Sequence, residues 1–138
     1  MILDASKVSM ADGSSQTAFD LLPGREVLSY HAAKMARTRV TNKTIGSGSD
    51  VIGLVFNNGQ KLCGTRTHTV AVYTRKGRIQ FKEFADIKIG DTVRGERAGM
   101  PILVSVVGLL YFPRKEVRLV GIETANGRPY VAEGVFCR

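Results

Sequence analysis

An internal duplication constrains the fold of this chain more than any other feature of its sequence. Residues 20–27, DLLPGREV, recur as residues 86–93, DIKIGDTV. Residues 52–59, IGLVFNNG, recur in the same order as residues 120–127, VGIETANG, and the offset stays near 66 to 68 residues. A period of this length is too long for a solenoid, so we predict two β-rich copies related by a pseudo-two-fold axis.

The length and composition indicate one globular domain. The 138 residues are 43% hydrophobic and 23% charged, which suffices for a single core. We therefore predict one domain over residues 1–138, with the copies at about residues 1–70 and 71–138. No apolar run reaches the length of a membrane span, and the start, Met1–Asp4, lacks the basic segment of a secretory signal. Two cysteines without a signal favour a reducing compartment.

Turn signals divide the sequence into short strands and predict an all-β fold. Residues 57–59, Asn-Asn-Gly, and residues 75–77, Arg-Lys-Gly, each separate two apolar runs, which is typical of β-hairpins. The only stretch with helical character is residues 31–37, and residues 44–50 are predicted to form a flexible loop.

Gly24 and Gly90 occupy equivalent places in the two copies. A short helical turn closed by a glycine in the left-handed conformation explains both residues. Asp20 and Asp86, which precede them, are then turn or cap residues that the duplication repeats, and we do not interpret them as a catalytic carboxylate pair.

The net charge of +8 and the pI of about 9.9 permit binding to nucleic acid. The basic residues are spread along the chain, with groups at Lys34 to Lys43 and Arg75 to Lys82, and neither group contains a nucleic-acid-binding motif. We interpret them as solvated hairpins and loops and keep a nucleic-acid-binding β domain as an alternative.

Three pairs of segments carry a family resemblance. They are residues 8–13 with 20–30, residues 65–70 (TRTHTV) with 85–93, and residues 120–124 with 130–135. In this order they are similar to the sequence blocks of the Hint (hedgehog/intein) family, including its T-x-x-H block. The resemblance implies a Hint-like horseshoe of two pseudo-two-fold related β subdomains, with the two chain ends brought together at its centre.

The resemblance also implies an autocatalytic acyl transfer, for which several residues are missing. Inteins use a nucleophile at the first residue, where this chain has Met1. Gly121 takes the place of an acidic residue and Arg128 that of a histidine, while the terminal asparagine would lie just past Arg138. We therefore expect that splicing is lost. Because Met1 stands in register with the nucleophile, we also expect that the natural protein begins here.

Four residues are candidates for remaining chemistry. Thr65 and His68 match the T-x-x-H block, and Cys63 and Cys137 are thiols that the fold would bring near it. His68 either polarises a peptide carbonyl or is a buried histidine that satisfies backbone groups. The cysteines are interpreted as small buried residues, with a displaced nucleophile, a disulfide or a metal site as alternatives. No cofactor and no metal site are predicted, since a zinc site would lack ligands.

These inferences lead to three hypotheses for function. The first is a stand-alone binding or structural module with a protein partner, such as a phage or mobile-element assembly, in the cytoplasm or a virion and away from membranes. The second is a self-processing domain that is truncated or inactivated. The third is the nucleic-acid-binding β domain.

Overall fold

The computed structural model describes residues 1–112 and 115–138, and within them the fold is built from antiparallel strands. The first copy supplies β1 (Ile2–Leu3), β2 (Lys7–Ser9), β3 (Ser15–Thr17), β4 (Glu26–His31), β5 (Lys34–Gly48), β6 (Val51–Phe56) and β7 (Lys61–Thr65). The second supplies β8 (Thr69–Tyr73), β9 (Ile79–Glu83), β10 (Thr92–Arg97), β11 (Met100–Tyr111), β12 (Val117–Thr124), β13 (Tyr130–Ala132) and β14 (Val135–Cys137). Two 3-10 helices, Phe84–Asp86 and Ala125–Gly127, complete the described elements. The prediction of an all-β fold is confirmed.

Each copy donates a strand to the sheet of the other copy. The long strand β5 pairs with β4 of its own copy and with β12 of the second copy. Reciprocally, β11 pairs with β10 of its own copy and with β6 of the first copy. This exchange links the strands into the continuous order β3-β2-β13-β14-β8-β10-β11-β6-β7-β1-β12-β5-β4, and β9 pairs with β8 beside this path.

The backbone hydrogen bonds at Gly24 and Gly90 follow the same symmetry. Gly24 N donates to Val40 O at 2.8 Å, and Gly90 N donates to Val106 O at 2.8 Å. The two glycines have φ angles of 93° and 97°, which confirms the predicted left-handed conformation. The ladders of β5 and β11 also shift register at Val40 and Val106 respectively. The pseudo-two-fold relation predicted from the duplication is therefore present in the hydrogen bonding.

Both predicted hairpins form, but two local predictions were wrong. Residues 31–37 do not form a helix, because Ala32 and Ala33, with φ angles of 50° and 64°, make a tight turn between β4 and β5. Residues 44–50 do not form a loop, since most of them lie in β5, where residues 43–48 pair with β12. Pairing with the adjacent strand β4 in the first place, and with the distant strand β12 in the second, overrides the local sequence preference.

One large core holds the two copies together. It contains fully buried side chains from both halves, among them Ile2, Val27, Leu54, Val93 and Val135. A smaller cluster of Ala71, Val131 and Phe136 lies apart from it. Among the described residues, no helix has the length and apolarity needed to cross a membrane.

Candidate functional site

A tight turn between β7 and β8 carries the T-x-x-H residues. His68 N donates to Thr65 O at 3.1 Å, which closes the turn and brings the two side chains together. The neighbouring strand is β1, whose Ile2 pairs with Gly64, and Thr65 N donates to Met1 O at 2.9 Å. The turn is therefore fixed against the backbone of residue 1.

Thr65 and His68 contact both polar backbone atoms of residue 1. The Met1 nitrogen donates to Thr65 Oγ1 at 3.2 Å and lies 3.5 Å from His68 Nδ1. Thr65 Oγ1 also lies 3.4 Å from Met1 O and can donate to it. Thr65 and His68 therefore lie together against the backbone of residue 1.

His68 is held in its neutral form. Its side chain is buried, with the ring edge-on to Phe84 at a centroid distance of 5.3 Å and 6.3 Å from the ring of Tyr130. Burial, together with the positive charge on the Met1 nitrogen, lowers the pKa of His68 to about 3. At neutral pH Nδ1 can therefore accept a hydrogen bond from the Met1 nitrogen, whose own pKa is lowered by burial. His68 Nε2 is buried without a hydrogen-bond partner among the described residues.

The two cysteines are free and protonated at neutral pH. Cys137 is fully buried on β14 opposite Tyr130, and burial raises its pKa to about 12. Cys63 is partly buried on β7, and burial raises its pKa as well. A thiol with a raised pKa is a poor nucleophile, because the thiolate is the reactive form.

The side chain of Met1 occupies space that two glycines leave open. A Cβ added at Gly121 would lie 3.5 Å from Met1 Cε, and one at Gly46 would lie 3.3 Å from the same atom. Gly121 is the position at which the family resemblance implied an acidic residue. Here the absence of a side chain accommodates a thioether.

A cavity of about 200 Å³ joins residue 1 to the last residue of the chain. Met1, His68, Gly121, Tyr130 and Arg138 line it. Thr69 holds the backbone of Arg138 in place, because its hydroxyl donates to Arg138 O at 2.7 Å. Residues 1 and 138 thus meet beside the T-x-x-H turn. In the described part of the chain, no group of three or more histidine, cysteine or acidic residues could hold a metal ion.

Comparisons with known proteins give the fold but no sequence family. No family model and no curated protein matches the chain. Among solved structures, it is similar to the TvoVMA intein at 19% identity and a TM-score of 0.85, over 99% of this chain and 95% of that chain. A DnaB intein from Synechocystis sp. PCC 6803 is similar at 15% identity and a TM-score of 0.86, over 99% and 96%. This chain has the intein-like Hint fold.

A further solved structure extends the likeness to a domain described as intein-like. The bacterial intein-like domain from Clostridium thermocellum is similar at 15% identity and a TM-score of 0.83, over 99% of this chain and 96% of that chain. The Hint fold is thus present nearly end to end. All of these identities lie below 20%, so the chemistry of this Hint domain has to be argued from its own residues.

The Hint fold brings some of the candidate residues together and separates others. Thr65 and His68 meet at residue 1, and Cys137 lies close by, next to Tyr130. Cys63 does not line the cavity that contains His68. It lies opposite Gly53 on the neighbouring strand β6.

Sequence reasoning missed two residues of the centre. Gly64 is required because a Cβ there would lie 2.6 Å from Met1 O. Tyr130 is missed because its ring reaches His68 from β13, which is 62 positions further along the chain. The available signals were the glycine directly before the T-x-x-H block and the tyrosine that opens the last block.

Proposed function

We propose that this Hint-fold domain does not splice and serves as a stand-alone binding or structural module in a protein assembly. One observation carries the proposal. The hydrogen bonds around residue 1 are complete, while the side chain at that position is the thioether of Met1.

Acyl transfer needs a group that can lose a proton and then form a bond to the carbonyl carbon. The sulfur of Met1 bears carbon on both sides and has no proton to lose. The thiols of Cys63 and Cys137 do not replace it, because burial raises the pKa of both. His68 is the only histidine at the centre, and its Nδ1 is engaged with the Met1 nitrogen. The loss of the nucleophile removes the reaction pathway itself.

In the function proposed here, Thr65 and His68 act as structural residues. Their contacts hold β1 between β7 and β12, so that Ile2 is fully buried in the core. A threonine and a histidine can serve this purpose through hydrogen bonding alone.

Two surface properties support a protein partner. The net charge of +8 favours acidic neighbours. One strand, β11, also exposes several large apolar side chains, more than the isolated apolar residues that are normal on a protein surface. They are Met100, Leu103, Val107, Leu110 and Tyr111. By analogy with small intein-like proteins of mobile elements, we propose a phage or similar assembly, with the domain in the cytoplasm or the virion.

The proposal predicts that the domain stays joined to flanking proteins. Reporter domains fused before Met1 and after Arg138 should remain attached after days under reducing conditions, as measured by intact mass. In the same fusion, Met1→Cys should allow cleavage before residue 1 by dithiothreitol, because Thr65 and His68 are in place to orient the peptide bond. Met1→Ala is the matched control and should stay intact, and adding His68→Ala to Met1→Cys should suppress the cleavage.

Self-processing is the second candidate, and the intact pair of Thr65 and His68 favours it. It requires a nucleophile other than residue 1, and Cys137 is a candidate because it lies opposite Tyr130, whose ring approaches His68. If the unchanged fusion were cleaved, and Cys137→Ser abolished that cleavage, self-processing would replace the binding role.

A further inference from the structure

A second cavity, of about 440 Å³, lies on the side of the sheet that carries the smaller apolar cluster. Its floor is apolar and aromatic and includes Phe81 and Phe136. Its polar lining contains three guanidinium groups, those of Arg94, Arg128 and Arg138. We call it the arginine cavity. Its volume falls in the range of small-molecule sites.

Aromatic rings fix two of the three guanidinium groups. Arg94 Cζ lies 5.2 Å from the ring centroid of Tyr30 and 5.8 Å from that of Tyr73. Arg138 Cζ lies 4.0 Å from the ring centroid of Phe81. A guanidinium group stacked on a ring keeps its N–H groups at the edge, where they can bind a planar or tetrahedral anion in pairs. These arginines are therefore oriented before any ligand arrives.

Among the described residues, the arginine cavity has no acidic side chain to balance its arginines. No Asp or Glu is among its lining residues in the described chain, and none of its three arginines forms an ion pair there. The Nε atom of Arg94 is buried without a hydrogen-bond partner among the described residues. Glu123 is exposed and lines the adjoining cavity that shares Arg128 and Arg138. An unpartnered buried donor beside unbalanced positive charge favours binding of an anion.

We propose that the arginine cavity binds a phosphate monoester carried on an aromatic or similar apolar group. A phosphate monoester has close to two negative charges and three acceptor oxygens, which match three guanidinium groups better than a carboxylate does. The apolar floor around Phe81 and Phe136 accepts the ring of the ligand. The site does not include Thr65 or His68, although Arg138 also lines the cavity that contains His68, and the proposal does not depend on the function proposed above.

Isothermal titration with phenyl phosphate tests the proposal. We expect phenyl phosphate to bind more tightly than inorganic phosphate, which lacks the ring, and more tightly than benzoate, which lacks the second charge. Arg94→Gln and Arg128→Gln should each weaken binding about tenfold, as expected for loss of a charged hydrogen bond. Arg75→Gln is the matched control, because it removes one charge from an exposed turn outside the cavity, and it should change the affinity less than about twofold.

A further variant separates charge from geometry. Arg94→Lys keeps the positive charge but loses the guanidinium fork, so it should also weaken binding severalfold. Far-UV circular dichroism checks the fold of each variant. If Arg94→Gln unfolds, Arg128→Gln provides the same test, since no aromatic stacking of its side chain occurs within the described residues.

Three results would overturn the proposal. Benzoate binding as tightly as phenyl phosphate would identify a carboxylate site. A general effect of surface charge would appear in either of two ways. Arg75→Gln could lose as much affinity for phenyl phosphate as the cavity variants, or a single-stranded oligonucleotide could bind tightly and salt-sensitively and be weakened by Arg75→Gln as much as by the cavity variants. Absence of binding at millimolar phenyl phosphate would show that the cavity takes no such ligand.

Discussion

His68 is buried beside Phe84 and the Met1 nitrogen, in surroundings that favour its neutral form. In the unfolded chain a histidine takes up a proton near pH 6.5, whereas the folded-state pKa of His68 is about 3. Between these values the unfolded state binds more protons, so the free energy of unfolding falls as the pH falls. From pH 7 to pH 5 the loss should be about 2 kcal/mol, measured by urea unfolding.

Two variants test whether His68 causes this pH dependence. His68→Gln should remove this contribution whatever the stability of the variant at pH 7, and only the smaller slope of other groups, such as the buried Met1 nitrogen, should remain. His31→Gln should leave it unchanged, since His31 is exposed at the end of β4. An undiminished slope in His68→Gln would show that the pKa of His68 is not shifted in the folded state.

The close pairing of β1 with β7 requires a glycine at position 64 of β7. A Cβ at Gly64 would lie 2.6 Å from Met1 O, the atom that accepts the hydrogen bond of Thr65 N. Gly64→Ala should therefore push β1 away and disturb Ile2 in the core, at a cost of roughly 1–3 kcal/mol in the free energy of unfolding. Urea unfolding measures the cost, and amide hydrogen exchange at Ile2 shows whether β1 has loosened.

Gly108→Ala is the matched control for this substitution. Gly108 also lies inside a strand, β11, but an added Cβ there would meet Val55 Cβ at 3.4 Å, an ordinary contact. Its cost should stay below about 1 kcal/mol. Equal costs at Gly64 and Gly108 would mean that the contact with Met1 O is not what constrains β7.

Turns set by their own residues could be predicted, and segments whose structure depends on strand pairing could not. The Asn-Asn-Gly turn between β6 and β7 follows from the residues that make it, as does the left-handed conformation of Gly24. Residues 31–37 and 44–50 have helix-like and loop-like compositions, yet both join β5. Their structure is decided by pairing with β4 and β12, which local composition does not reveal.

The same division holds for the candidate site. Thr65 and His68 could be found from the resemblance to the T-x-x-H block, whose residues a short turn carries. The contacts of Gly64 with Met1 and of Tyr130 with His68 join parts of the chain more than 60 residues apart. Only the assembled fold brings such residues together, so the motif predicts which groups are present and not what they contact.

At the scale of the whole molecule, the reciprocal pairing of β5 with β12 and of β11 with β6 makes each copy part of the other. Residues 1–70 without β12 would leave one edge of β5 unpaired, and residues 71–138 without β6 would do the same to β11. Unpaired strand edges and a divided core are unfavourable. We therefore expect the two copies to unfold together in one cooperative transition.

Substitutions at equivalent core positions test this cooperativity. Val27 in β4 and Val93 in β10 repeat at an offset of 66 residues, and both side chains are fully buried in the shared core. Val27→Ala and Val93→Ala should each cost about 2 kcal/mol and shift one single transition to lower urea concentration. Far-UV circular dichroism and tyrosine fluorescence should give coincident curves for both variants, as two-state unfolding requires. If either variant produced two separate transitions, or if one half kept its structure while the other unfolded, the exchange of strands would not couple the copies.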